Sequence, residues 1–209
     1  KETRIVIESM ASWYWLYDLL TGEGLEVVIS NPVKTKAIAS AKIKNDKLDS
    51  HILAQLLRAD LIATVHVSSL ETRKLKELLR HRSKLVRDAT LMKNRIHLML
   101  MKNIFLSHFS YLFGFMGLSY LEDFELPDYH RQNVETYLLL YEKLQEQIEP
   151  LTKRVRALAK GNHTAQLLMT IPGLGHITAR FIIAEVDDIS RVRSYRSLGS
   201  FAGLVRSLV

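Results

Sequence analysis

The 209-residue chain has no cysteine. That excludes a disulfide framework and any thiolate metal site, and it suits a reducing cytosol. No N-terminal signal is visible either: the opening Lys1-Glu2-Thr3-Arg4 is charged and runs straight into the apolar Ile5-Val6-Ile7. The eight histidines show no ligand spacing, and His51, His66, His81, His97 and His163 read as surface or interfacial positions. Long uncharged stretches are nearly absent. The exception is IFLSHFSYLFGFMGLSYL (104–121), which only just reaches the length of a membrane span. Ser107, His108, Ser110, Gly114, Gly117 and Ser119 dilute it, so a hydrophobic tip used for packing or self-association is expected there, with no membrane partner. Starting without Met and ending in the apolar GLVRSLV, the sequence reads as a fragment cut at both ends of a cytoplasmic protein.

What is present in excess is positive charge, and it is localised. Residues 71–102 carry ten of the 29 lysines and arginines against three of the 22 acids, so the whole net charge of +7 falls on this segment. Such a stripe is the footprint of a polyanion partner. A solvated helix face explains the same charge. The candidate nucleic-acid contacts along it are Arg73, Lys76, Arg80, Lys84, Arg87, Lys93, Asn94 and Arg95.

Three regions separate by pattern. In residues 1–68, RIVIES and LEVVIS read as strands, and MASWYWLYDLL reads as a helix stopped by Gly22 and Gly24. A second helical stretch runs from Val33 to Leu61, broken near Lys44-Asn45. Strand, helix, strand, helix is the pattern of an α/β layer with a parallel sheet. Residues 69–160 read as a long basic helical hairpin of coiled-coil type. Its first arm has a seam of Leu75, Leu78, Arg82, Leu85, Ala89, Met92, Ile96 and Met99. The returning arm has Val134, Leu138, Tyr141, Leu144, Ile148, Leu151, Val155 and Leu158, with Pro150 expected to kink it or force a restart. The seams predict antiparallel pairing, or dimerisation through the same surface. Residues 161–209 carry LLMTIPGLGHITARFIIAEV, the sequence form of a helix-hairpin-helix. Gly173 and Gly175 would let a phosphate approach the backbone, amides of the following helix would hold it, and Thr178 and Arg180 would add side-chain contacts. A plain helix–turn–helix packing unit is the alternative. Trp13 and Trp15, two apart, cannot share a helix face.

The candidate chemistry lies in three carboxylates. Glu8 closes the first strand, and Asp46 and Asp49 are spaced three apart in KNDKLDSHILAQLL, on one face of a helix. A strand-end carboxylate facing a helical Asp-x-x-Asp pair is a plausible cage for Mg²⁺, or Mn²⁺, which favour oxygen ligands. Two such ions are the usual machinery for in-line attack at a phosphodiester. Each acid has a duller reading: Glu8 beside a capping Ser9, Asp46 as a helix N-cap, Asp49 paired with Lys47 or Lys42.

These pieces in this order resemble the bacterial insertion-sequence transposases of the insertion sequence one-ten family, which have a RuvC-like domain with a DEDD carboxylate set. The resemblance rests on IVIESMASWYW, on VVISNPVKTKAIASAKIKNDKLDSHILAQLLR, on LVRDATLMKNRIHLML, and on LMTIPGLGHITARFIIAEVDDISRVRSYRSLGSFAGLV. It implies a partial RuvC-like, RNase H-like α/β layer, a helical coiled-coil hairpin, and the start of a C-terminal transposase domain. It implies that Glu8, Asp46 and Asp49 are the second, third and fourth acids, with the first upstream of residue 1. It also implies a nucleophilic serine shortly beyond the Ala202–Val205 stretch, although Arg206 stands where the family usually has Pro, and Ser207 is not assigned that role. The further implications are a bacterial, nucleoid-associated DNA recombinase, a guide RNA bridging donor and target DNA, and homo-oligomers, dimeric or tetrameric, through the coiled coil. Lacking one acid and the serine, residues 1–209 alone are expected to show little or no strand transfer. A RuvC-like structure-selective endonuclease using water, and an inactive nucleic-acid-binding relic, are the alternatives.

Overall fold

Alternation of β-branched residues with short helical stretches produces one small sheet, and amphipathic heptads produce the two long helices. The computed structural model describes residues 3–38, 46–103, 111–192 and 194–204. They form a mostly helical chain with a two-stranded parallel sheet. The chain divides into two compact units, Lys1–Ser68 and Ser69–Val209.

In the first unit, strand β1 (Arg4–Glu8) pairs in parallel with strand β2 (Glu26–Ser30), in a register that sets Arg4 opposite Glu26 and Glu8 opposite Ser30. Parallel strands need a crossover, and helix α1 (Trp13–Gly22) supplies it, packing on both strands. Gly24 ends α1 with φ of +78°, and the Leu25 amide donates back to the Leu20 carbonyl, closing a Schellman-type cap. Trp13 is half-buried and stacks on Tyr14 at 3.9 Å, whereas Trp15 is exposed. After β2, Asn31 caps the next helix by accepting the Lys34 amide at 3.1 Å, and Pro32 occupies its first position, where a missing N–H is harmless. That helix, α2 (Pro32–Ile38), is followed by α3 (Asp46–Arg58), which lies against β1. The expected break near Lys44-Asn45 falls outside the described residues. Beyond α3 the chain returns antiparallel along β2, with the Val65 amide donating to Ile29 and the Asn31 amide to Ala63, both at 2.8 Å. Ile29 and Leu56 are buried here, and Ser30 is satisfied by a 2.7 Å hydrogen bond with Thr35.

The second unit is built on two long helices, α4 (Leu70–Met101) and α6 (Asp128–Lys160). Contacts of Arg82 with Thr152, Lys93 with Tyr141, Arg95 with Tyr137 and Asn103 with His130 show that they run antiparallel. Ser69 caps α4 through the Thr72 amide at 3.1 Å. Pro150 neither breaks nor restarts α6, which continues through it as one 33-residue helix. The missing bond to the Glu146 carbonyl is offset by packing on both sides of that turn, where Ile148, Thr152 and Val155 are buried.

The seam also shifts. Ala89, Met92 and Ile96 are buried as the heptads predict, but toward the start of α4 it is Leu79 that is fully enclosed. Opposite it, Thr152 and Ala159 replace Leu151 and Leu158. The cause is a third helix. After α7 (His163–Met169), helix α8 (His176–Val186) packs on both α4 and α6, and Ala184 joins Leu79 and Val155 in one cluster. Helices α7 and α8 therefore pack on the hairpin rather than apart from it. A 3₁₀ turn (Ile189–Arg191) and α9 (Tyr195–Phe201) follow.

At the far end of the hairpin, residues 104–110 lie outside the described residues. Beyond them Leu112 and Phe113 are buried, and α5 (Phe115–Asp123) packs with Leu121 fully enclosed. Gly117 admits no side chain, because a Cβ would collide with the Leu112 carbonyl. Arg131 caps the end of α5 by donating to the Leu121 and Phe124 carbonyls. Among the described residues, no helix is long and apolar enough to cross a membrane.

Candidate active site and nucleic-acid interface

Glu8 owes its place to the register of β1. It closes the strand at the carboxyl edge of the two-stranded sheet, half-buried, beside Ser30. In parallel sheets, that edge is where ligands collect. The next amide, Ser9, donates to the Ser30 carbonyl at 3.2 Å, which ties the two strand ends together. Asp49 sits in the first turn of α3, also half-buried. Asp46 opens the same helix, and its side chain lies outside the described residues. The helix packs on the strand that carries Glu8, and Arg4 of that strand, which pairs with Glu26 at 2.8 Å, lies 4.0 Å from the exposed Asp60 just beyond the end of α3. Asp60 adopts φ of +55° in the cap that ends the helix. Among the described residues, no group of three or more His, Asp or Glu stands close enough to hold a metal. The set Glu8, Asp46 and Asp49 includes a side chain outside the described residues. Its donor chemistry, carboxylate oxygens alone, is that of a hard divalent cation.

The basic helix α4 sorts its charges by rotation. At roughly 3.6 residues per turn, Arg73, Lys76, Arg80, Lys84, Arg87, Asn94 and Arg95 fall within a face about 100° wide, opposite the packed seam. Lys84, Arg87 and Asn94 are exposed on it. Arg80 is exposed but donates to Glu185 of α8 at 2.9 Å, and Lys76 lies 3.8 Å from the same carboxylate. Arg73 is half-buried. Arg95 reaches across the hairpin to lie 5.5 Å from the Tyr137 ring centre.

Lys93 differs from the rest, because the same rotation turns it toward the hairpin interior. Its ammonium lies 5.0, 5.2 and 5.1 Å from the ring centres of Tyr111, Phe113 and Tyr141, and donates to the Tyr111 hydroxyl at 2.9 Å. Burial alone would lower its pKa, but the Tyr111 hydrogen bond and the neighbouring phenols outweigh burial and raise it. The same bond holds the Tyr111 hydroxyl below its ordinary value, while burial pushes Tyr141 up.

In the turn between α7 and α8, Gly173 adopts φ of +89°, and the Leu174 amide donates to Ile171 at 3.1 Å. Gly173 and Gly175 are exposed, and a Cβ on either would meet nothing within 4 Å. Helix α8 has no side-chain cap, and Thr178 lies on its first turn. Arg180 is not with them. It is buried at 9% exposure and lines a cleft formed by α4, α6 and α8. Sequence reasoning did not find Glu185, which pairs with the basic stripe, or Arg154, which shares the cleft with Arg180. Both depend on helices packing across long separations in the chain.

Residues 1–105 match the DEDD transposase family model of IS110 elements, described as a transposase, and residues 165–208 match the family described as Transposase IS116/IS110/IS902. A transposase for insertion sequence element IS1328 of Yersinia enterocolitica is 26% identical over 211 residues, covering 96% of this chain and 60% of that protein. A transposase for insertion sequence element IS1111A of Coxiella burnetii (strain RSA 493 / Nine Mile phase I) is 25% identical over 205 residues, covering 96% of this chain and 56% of that protein. The chain thus spans less than two thirds of the length of these relatives. Matched over its first half by one family model and near its far end by a second, the chain belongs to the IS110 family of transposases.

Proposed function

We propose that this chain is the metal-dependent, DNA-cleaving part of a transposase or site-specific recombinase. The observation that carries the reading is the position of Glu8 at the carboxyl end of β1, with the Asp46–Asp49 helix lying against the same strand. In this reading Glu8, Asp46 and Asp49 hold Mg²⁺ or Mn²⁺ by their carboxylate oxygens. A divalent cation bound there supplies charge neutralisation at a scissile phosphate and favours the ionised form of an attacking hydroxyl. The chain's own contribution is to orient the phosphodiester. The exposed cations of α4 track nucleic-acid phosphates, and the α7–α8 turn acts as a helix-hairpin-helix. Open space at Gly173 and Gly175 there admits a phosphate to the uncapped start of α8. Strand exchange, a guide RNA and assembly through the hairpin belong to the same reading.

The test is cleavage of supercoiled DNA carrying the element's ends, with and without its RNA, by the protein extended to the length of its relatives. Nicking should require Mg²⁺ or Mn²⁺ and fall at least 100-fold in Glu8→Gln and Asp49→Asn. Metal-independent cleavage, or full activity in both variants, contradicts the proposal.

A further inference from the structure

The cleft that encloses Arg180 has a volume of about 320 Å³, at the small end of ligand sites. Its charges are unevenly matched. Glu71 is held by Lys74 at 2.8 Å, and Asp187 accepts the Thr72 hydroxyl at 2.7 Å. Both acids thus have partners, although the hydroxyl leaves the Asp187 charge in place. The two guanidiniums do not: neither Arg154 nor Arg180 has an ion-pair or hydrogen-bond partner among the described residues. Arg154 is exposed at the rim, where water can solvate it. Arg180 is only 9% exposed, and its Nε is buried without a hydrogen-bond partner. Its terminal nitrogens open onto the cleft, so a cation that makes no ion pair is left only partly hydrated there, which costs free energy. It persists most readily where a ligand completes it. Guanidinium forks match tetrahedral oxyanions, bonding two oxygens at once.

We infer that this cleft between α4, α6 and α8 is a phosphate-binding site, with Arg180 at its base and Arg154 at its rim. Burial also depresses the Arg180 pKa, the penalty that an arriving anion would relieve. A free phosphate anion and a phosphate of a nucleic-acid backbone share the chemistry of recognition. The site lies apart from the exposed glycine turn and does not depend on the catalytic reading, since none of the three acids takes part.

The test uses the 209-residue chain, by thermal denaturation and calorimetry. The probes are sodium phosphate against sodium chloride at matched ionic strength, and a six-nucleotide DNA without terminal phosphates. Binding to the wild type should saturate. Arg180→Met should weaken it at least tenfold, and Arg180→Lys should restore part of it. In chloride alone, Arg180→Met should melt no lower than the wild type, because it removes an unpaired buried charge. Arg154→Gln, an exposed change that spares the fold, should weaken binding threefold or more. Loss of phosphate binding in these variants assigns a free-anion site, and loss of oligonucleotide binding alone assigns a backbone contact. Unchanged affinity for both probes in Arg154→Gln and in a folded Arg180→Met overturns the inference.

Discussion

Lys93 shows how far one side chain's role depends on a neighbour distant in sequence, since Tyr141 completes the three rings around its ammonium. Lys93→Ala should cost about 1–2 kcal/mol, the range for a partly desolvated cation on aromatic faces, whereas Lys84→Ala on the exposed face should stay within about 0.5 kcal/mol. Urea denaturation of both variants checks this. Gly117 is a residue whose identity close packing dictates. Gly117→Ala forces a Cβ against the Leu112 carbonyl and should destabilise by about 1–3 kcal/mol, read from the same curves. The sequence shows Lys93 and Arg180 as members of basic groups. It does not show that one is enclosed by aromatic rings and the other sunk in a cleft, because both fates are set by contacts between helices far apart in the chain. What is legible of Glu8, Asp46 and Asp49 is their placement, one at a strand end and two in the first turn of a helix, because that signal is local.

Helices are the easier elements to read. The antiparallel arms of the hairpin follow from their heptads, and Asn31-Pro32, Ser69, Asn162 and Ser194 each mark a helix start. The failures have a common cause in packing. A third helix, α8, rotates the seam toward Leu79 and Thr152, which two-helix periodicity does not anticipate. Pro150 is carried within α6 because both flanking turns are already fixed by burial. Pro150→Ala restores the bond to Glu146 and should raise stability by on the order of 1–3 kcal/mol; a decrease would show that the proline sets a bend the hairpin needs. The basic face of α4 makes its own prediction. Replacing Arg80, Lys84 and Arg87 together with Gln should weaken DNA binding and flatten the log–log salt slope by roughly 0.9 for each phosphate no longer neutralised. Lys93→Gln should leave the slope unchanged, because that ammonium faces the hairpin. Titrations of a DNA duplex from about 50 to 200 mM salt, the range over which such binding weakens steeply, distinguish the two.

The molecule as a whole is two bodies of unequal solidity. The second unit has a continuous core along α4, α5 and α6 and further clusters with α7 and α8. In the first, Ile29 and Leu56 are the buried apolar side chains among the described residues, while Met10, Trp15, Leu19 and Val33 are exposed. A thin core gives a low local opening energy. Hydrogen exchange should therefore show β1 and β2 amides exchanging well before those of α4 and α6, and equal protection would contradict that ranking. The element order of the first unit is legible from strand–helix alternation, but its thin core is not, since burial depends on what covers each face. The central claim is that this lightly built unit binds a divalent cation through its acids. Mn²⁺ titration of the wild-type chain, Glu8→Gln and Asp49→Asn, followed by electron paramagnetic resonance, measures that directly. The expected result is saturable binding that weakens at least tenfold in each variant while the far-ultraviolet spectrum is unchanged. Equal Mn²⁺ affinity in all three proteins would contradict it.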